Sequence, residues 1–394
     1  MTVMIGIDPH KATHTAVAID SDERPLARLQ LTADRVQTRR LLAWAAPLGD
    51  DRTWAIESAG GLGKLLAQQL IGVGEHVIDV PPTLSARVRL LGSTKASKND
   101  GNDALATAIA GLRHCGLRAV RHEDRTAVIR LLVDRYDDLT ALRTQAACRL
   151  HVALRELIAG GAPRRLSADR AAKLLRAVHP DGVAAIQRKR LALELLADVR
   201  RLDREIATAR QRVTDAIHAS GTSLLEVHGV GPIVAGFILG HVGDPARFPT
   251  ADRFASYNGT APIEASSGPR TRHRLNPRGN RKLNHALHMA AVTQVAHDTP
   301  GQAYYLRKIA EGKSRKEALR GPEASPLRRR LAATPSRPHP PLTRGPGRTT
   351  RDDSHIQRGR LNPEHRHFGP VTPRPTTTLR PPHRARFDAP RHPP

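Results

Sequence analysis

Over the first 115 residues, short apolar runs alternate with runs of helical spacing. Met4–Asp8 and Thr13–Asp20 predict two consecutive strands joined by a tight His/Lys turn, and Pro25–Leu31 predicts a third. Val36–Ala46 predicts a helix. Thr53–Glu57 is an apolar run ending on its glutamate, followed by the turn Ala59-Gly60-Gly61 and a helix over Leu62–Ile71. His76–Val80 predicts another strand, stopped by Pro81-Pro82. A hairpin followed by helix–strand units implies an α/β layer with a mixed sheet.

The period then changes. In residues 121–159 and 184–219 apolar side chains recur at spacings of three and four: Ile129, Leu132, Val133, Tyr136, Leu139 and Leu142, then Leu193, Leu196, Val199, Leu202 and Ile206. Two long amphipathic helices follow, assembled as a helical hairpin or coiled-coil arm over 119–220. Such an arm is scaffold first, and it could also set the oligomeric state. A third region, 221–320, opens with Leu224–Val234. There Gly229 and Gly231 flank a turn before a helix, and its backbone N–H groups could hold a DNA phosphate as in helix-hairpin-helix elements. Plain helix packing accounts for the same pattern equally well. Beyond Tyr257–Ala265 come Ser266-Ser267-Gly268 and the basic run Arg270, Arg272, His273, Arg274, Arg278, Arg281, Lys282.

Composition changes this picture in two ways. Aromatic content of 3% leaves Leu, Val, Ile and Ala to build the core, which favours helices and a small α/β domain. The formal net charge is +26. Residues 321–394 hold 15 Arg, no Lys and five acids, so +16 remains on residues 1–320. An excess of that size predicts a polyanionic partner, DNA or RNA. The two cysteines, Cys115 and Cys148, form neither a metal-ligand spacing nor a disulfide framework, and both are expected in helices, buried or inert. With no signal peptide and no run of about 18 apolar residues, a cytoplasmic protein without a membrane partner is expected.

Against that positive background four acids stand out. Asp8 ends the apolar run Ile5-Gly6-Ile7, and Glu57 ends the second apolar strand. Asp100 and Asp103 lie one turn apart at the start of a helical run, on one face. Each has an ordinary reading: a turn aspartate before Pro9, a strand-end charge, and acids at a helix N-terminus. Together they are the hard oxygen ligands that phosphodiester chemistry requires around a divalent metal.

The runs IGIDPHK, AIESAGG and KNDGNDALATA resemble the RuvC-like, RNase H-type domain of the DEDD transposases of insertion-sequence family 110, relatives of Piv-type DNA invertases. LLEVHGVGPIVAGFILGHVGDPARFPTADRFASYNGTAPIEASSGPRTRHRLNPRGNRKLNHALHMAA is similar to that family's carboxy-terminal domain, and the likeness extends over residues 3–320. The resemblance implies an α/β plus α chain, with a RuvC-like domain over 1–118, the arm over 119–220, a transposase domain over 221–320 and a tail over 321–394. It further implies a Mg²⁺ or Mn²⁺ site on Asp8, Glu57, Asp100 and Asp103, and a serine nucleophile at Ser267 with Ser266 as the alternative. Arg270, Arg272, Arg274 and Arg278, with Arg281 and Lys282, would grip nucleic acid near that serine. The implied partners are the double-stranded DNA of element ends and target, a structured guide RNA, and further copies of the chain as a dimer or tetramer.

The tail departs from the family. Sixteen of the 30 prolines fall in residues 321–394, without hydrophobic periodicity, and a disordered Pro/Arg-rich segment is expected. One set of codons for Gly321 onward, read one base later, gives Ala-Leu-Lys-Arg-Arg-Leu-Ser-Asp, a natural helix continuation. The tail therefore reads as frameshifted. Two rivals to a serine recombinase remain at this point: a metal-dependent structure-specific nuclease, and an inactive nucleic-acid-binding remnant.

Overall fold

The computed structural model describes residues 2–92, 99–264, 273–274 and 276–320, all within one unit spanning Met1–Ser336. The tail, residues 321–394, lies outside the described residues, as do Ser266, Ser267, Arg270 and Arg272.

The amino-terminal half follows the alternation in the sequence. Strands β1 (Val3–Pro9), β2 (Thr13–Ile19) and β3 (Pro25–Thr32) lead into helix α1 (Gln37–Ala45). Then come β4 (Arg52–Glu57), α2 (Lys64–Gly72), β5 (His76–Val80), α3 (Pro82–Gly92), α4 (Asp100–Arg113) and β6 (Arg118–Ala119). The sheet order is β3-β2-β1-β4-β5-β6, with β1, β4 and β5 parallel to one another and β2, β3 and β6 supplying antiparallel pairs. The expected mixed sheet is thus present, with β1 inside it.

Pleating divides each central strand between two cores. Val3, Ile5 and Ile7 of β1, with Trp54 and Ile56 of β4, pack under α1 and α2 through Leu41, Ala45, Leu66 and Leu70. Met4 and Ala55 pack on the opposite side with Ala104, Ala108 and Ala110 of α4. Gly6 shares that second side, and a Cβ there would collide with the backbone of Ala104 and Ala108. A Cβ on Gly111 would sit 2.7 Å from Ala55 Cβ. Small residues on both partners therefore let α4 lie directly on the sheet.

Two elements were not read from the sequence, α3 and β6. Pro81-Pro82 does stop β5, but Pro82 also begins α3, because the first helical position needs no N–H. The two-residue β6 was too short to leave a pattern. Cys148 lies on a helix as expected, whereas Cys115 sits in a turn after α4, and both are exposed rather than buried.

Helices α5 (Arg125–Arg155) and α7 (Val183–Ser220) form an antiparallel hairpin, with α6 (Ala168–Ala177) between them in sequence. The pairs Arg188–Glu156, Arg143–Asp203 and Arg135–Glu205 run in opposite order along the two helices. Leu139, Leu150 and Leu154 meet Leu196, Val199 and Leu202 in its core, to which α6 adds Ala171 and Leu175. The base of the hairpin joins a separate core. Ile129, Val133, Val213 and Ile217 pack with α8 (Pro232–Val242), α9 (Ala251–Asn258) and, beyond the short pair β7 (Ile263–Glu264) and β8 (His273–Arg274), α10 (Arg281–Val295). Helices α11 (Pro300–Ala310) and α12 (Arg315–Arg320) close the described chain. Among the described residues no helix is long and apolar enough to cross a membrane.

Candidate active site

The same pleat that buries Met4 and Gly6 carries Asp8, and the one that buries Ala55 carries Glu57. The parallel register pairs Ile7 with Ile56, so the next residue on each strand is a carboxylate. Both lie at the carboxyl ends of adjacent parallel strands, where open α/β sheets bind ligands. Opposite them is the first turn of α4. Its N-cap is Asn99, whose side chain accepts from Asn102 N, so neither Asp100 nor Asp103 is needed as the cap.

Asp8, Glu57 and Asp103 line one cleft of about 340 Å³ with His10, Ser58, Leu62, Pro82 and Arg89. Asp100 approaches from the rim: ligand atoms of Asp8, His10 and Asp100 all lie within 4.8 Å of one another. The other three acids, Glu57, Asp100 and Asp103, therefore surround Asp8. Burial pushes the Asp8 carboxyl up to about 6. His10 opposes that rise, while Glu57, Asp103 and Asp100 add to it. Asp8 Oδ2 is buried and has no hydrogen-bond partner, and His10 Nδ1 lies 3.6 Å from it. An orphaned carboxylate oxygen among other acids is costly to bury. The donor set, hard oxygens with one imidazole, fits a divalent cation.

Glu57 and Asp103 have other contacts as well. Thr107, one turn after Asp103, has its hydroxyl 2.8 Å from Asp103 O, 3.2 Å from Ser85 Oγ of α3 and 3.4 Å from Glu57 Oε2. Arg89 of α3 pairs with Asp103 Oδ1. Directly after Glu57, Ser58 takes φ +51°, and its carbonyl accepts from Gly61 N and Gly63 N. That left-handed residue starts the turn into α2, along which Ser58 and Leu62 still line the cleft, and Asp79 Oδ1 fixes the turn by accepting from Ala59 N. His10, Ser85, Arg89 and Thr107 were not singled out from the sequence. Only His10 left a signal, as a possible ligand two residues after Asp8, just past the end of β1.

The second set of expected residues is spread over the helical half. Gly229 takes φ +82°, and a Cβ there would lie 2.8 Å from Ala290 O of α10, while Gln294 Nε2 donates to His228 O. Gly231 is the N-cap of α8, with no atom near its would-be Cβ. Val230 is buried in the α8–α10 core, so this turn packs as well as presenting a helix end. Ser266 and Ser267 fall between β7 and β8 in sequence. The base of that segment is braced from both sides: Asn280 N donates to Tyr257 O, Asn284 Nδ2 to Asn258 O, and Asn276 Nδ2 to Ser256 O. Gly259 and Gly279 meet so closely that a Cβ on Gly279 would overlap the Gly259 backbone. Arg274, Arg278 and Arg281 are exposed. Lys282 instead reaches Asp134 Oδ1 at 2.7 Å and Asp137 Oδ2 at 3.0 Å on α5.

Comparison with known proteins finds two family models in chain order. A DEDD-type IS110 transposase model matches residues 5–159, and a model described as "Transposase IS116/IS110/IS902 family" matches residues 221–306. The 44.8 kDa protein of insertion element IS116 from Streptomyces clavuligerus is 27% identical over 364 residues, covering 80% of this chain and 90% of that protein. The 42 kDa protein of insertion element IS900 from Mycobacterium paratuberculosis is 29% identical over 368 residues, covering 80% and 92%. A solved structure of T. thermophilus RuvC with a Holliday junction substrate covers 30% of this chain and all of its own at 15% identity. Its TM-score is 0.25, too low for a fold to be read from it.

Proposed function

The chain belongs to the IS116/IS110/IS902 transposase family, enzymes that cleave and join DNA strands, and from that premise we propose how its own residues do so. Residues 1–118 act as an RNase H-type, RuvC-like catalytic domain, 119–220 as the arm, and 221–320 as the domain that supplies the nucleophile and grips DNA. The observation that carries this reading is the gathering of Asp8, Glu57, Asp100 and Asp103 around one cleft at the ends of two parallel strands.

Asp8, Asp100 and His10 would hold a Mg²⁺ or Mn²⁺ ion, with Glu57 and Asp103 completing the donor set. When bound, such an ion supplies electrophilic charge at a phosphoryl oxygen and lowers the pKa of an attacking hydroxyl. The carboxylates would hold that ion at the carboxyl ends of β1 and β4, so that a scissile phosphate is accepted there only against the ion's charge. Ser267, or Ser266 beside it, presents its hydroxyl to the phosphorus. A serine–phosphorus bond forms as the bond to one deoxyribose oxygen breaks, and the proton lost by the serine hydroxyl is matched by one gained at that oxygen, which leaves as a free deoxyribose hydroxyl. Arg270, Arg272, Arg274 and Arg278 then neutralise phosphate oxygens, and Arg281 extends the contact along the backbone.

Double-stranded DNA of the element ends and target is the proposed substrate. The +16 net charge on residues 1–320 also supports a structured guide RNA, read by backbone and shape. Strand exchange requires several coordinated cuts, so a dimer or tetramer is proposed. A nuclease reading has its own support: the acidic cleft is built wholly from residues 8–103, without the serine segment.

A denaturing gel separates the two. Wild type, Ser267→Ala, Ser266→Ala and Asp8→Ala are incubated with element-end DNA, flanking RNA and Mg²⁺. A protein–DNA adduct lost in Asp8→Ala and in one serine variant is the expected result. Cleavage without adduct, surviving both serine substitutions, would establish the nuclease instead.

A further inference from the structure

Helices α3 and α4 meet through two side-chain rungs. In the first, Ser85 Oγ and Thr107 Oγ1 lie 3.2 Å apart, and both residues are fully enclosed at 3% and 0% exposure. In the second, one turn along each helix, the Arg89 guanidinium engages Asp103 Oδ1. The rungs differ in kind: one is neutral and sealed, the other charged and open to the cleft. Among the described residues lining that cleft, Arg89 is the one permanent cation, facing Asp8, Glu57 and Asp103. A cleft lined by carboxylates repels a DNA phosphate, so a cation that can change partners answers a physical need.

We propose that Arg89 is the internal counter-ion of this cleft. It holds Asp103 while no cation is bound, gives Asp103 up on cation uptake, and then turns its guanidinium to the phosphate in the same space. The proposal rests on the metal-dependent reading above. Three features support it. Arg89 shares the cleft with the acids, so no backbone movement is needed to change partners. The Ser85–Thr107 rung can keep α3 seated when the charged rung opens. A guanidinium also suits both roles, because its fork pairs equally with carboxylate and phosphate oxygens.

The test uses the full chain without nucleic acid and follows Mn²⁺ binding by calorimetry. Wild type, Arg89→Gln, Arg89→Lys and Asp103→Asn are compared, with thermal melts as a folding control. Arg89→Gln is expected to bind Mn²⁺ about three- to tenfold more tightly, since a competing charge-assisted hydrogen bond is gone. Cleavage of element-end DNA by the same variant at saturating Mn²⁺ should be at least about tenfold slower, as expected for loss of one phosphate donor. Arg89→Lys keeps the charge and falls between. Tighter cation binding together with slower cleavage is not what a merely structural residue gives, because loss of packing weakens both. Unchanged or weaker Mn²⁺ binding in Arg89→Gln and Arg89→Lys, with Asp103→Asn still weakened, overturns the proposal and leaves the metal reading intact. Equal Mn²⁺ binding by wild type and Asp103→Asn overturns the proposal alone, since Asp8, Asp100 and His10 would still hold the ion, whereas no binding by wild type removes the metal reading and the proposal with it.

Discussion

The sheet half and the helical half of this chain both hold chemical groups in place, by different means. In the sheet half, regular elements do it: Asp8 and Glu57 are fixed by strand register, and Asp100 and Asp103 by a helix whose backbone lies on Gly6. In the helical half, buried polar side chains tie the end of α9 to the start of α10. Asn258 is completely enclosed, and Asn280 links Tyr257, His241 and the first turn of α10. Register and close backbone approach fail as a whole when disturbed. A hydrogen-bonded brace fails one bond at a time, at roughly 1 kcal/mol each. The carboxylates thus sit on the stiffer support of the two.

Substitutions can break or sharpen that contrast. The largest effect is expected for Gly6→Ala, whose Cβ meets backbone rather than a movable side chain. Chemical denaturation should show a loss of about 3 kcal/mol or more. A cost below about 1 kcal/mol would mean that α4 does not depend on this approach. Next is Asn280→Ala, which removes the α10 cap and leaves His241 Nδ1 and Tyr257 OH short of a partner. It should cost about 2 kcal/mol by the same measurement while leaving Mn²⁺ binding unchanged. Coupled loss of Mn²⁺ binding would show that the two halves are not independent.

Asp8→Asn should have a smaller effect and the opposite sign. The folded-state pKa of Asp8, about 6, is above the unfolded value of 3.8, so the folded chain holds this proton more tightly. That contribution is present in full below about pH 4 and is lost as pH rises through about 6. Without metal, the asparagine variant should therefore be about 1–2 kcal/mol more stable than wild type at pH 7 and no more stable at pH 4. Thermal melts at the two pH values check this, and equal stability at pH 7 would show that burial of Asp8 carries no cost. Mn²⁺ affinity of wild type should rise over the same interval, because the metal needs the ionised carboxylate.

The smallest effect is expected at Lys282. Its bonds to Asp134 and Asp137 are partly exposed, so Lys282→Ala should cost less than about 1 kcal/mol. It should also leave the dependence of log DNA affinity on log salt unchanged, whereas Arg278→Ala lowers that slope by about 1. A reduced slope for Lys282→Ala would mean that the lysine leaves its aspartates for phosphate.

What was legible in the sequence tracks the same division. Alternating runs locate β1, β2, β4 and β5 within a residue or two, because a strand buried on both sides must be apolar along its length. Asp8 and Glu57 were visible as charges ending such strands, and Asp100 and Asp103 as a same-face pair. Arg89 and Ser85 were not. Their helix begins at a proline read as a stop, and one more arginine carries no signal in a chain with 63 basic residues. Thr107 was hidden for a different reason, as a small residue in an Ala-rich helix. Lys282 was read as part of a basic run, because the aspartates it meets are 148 and 145 residues away in sequence.

Anomalous diffraction from crystals of the full chain soaked in Mn²⁺ tests the central claim most directly. A peak is expected in the cleft, bonded to Asp8 and to at least one acid of α4, and absent from Asp8→Asn crystals. An empty cleft in crystals of a protein that still cleaves DNA with Mn²⁺ would contradict it, and would move the chemistry away from these four carboxylates.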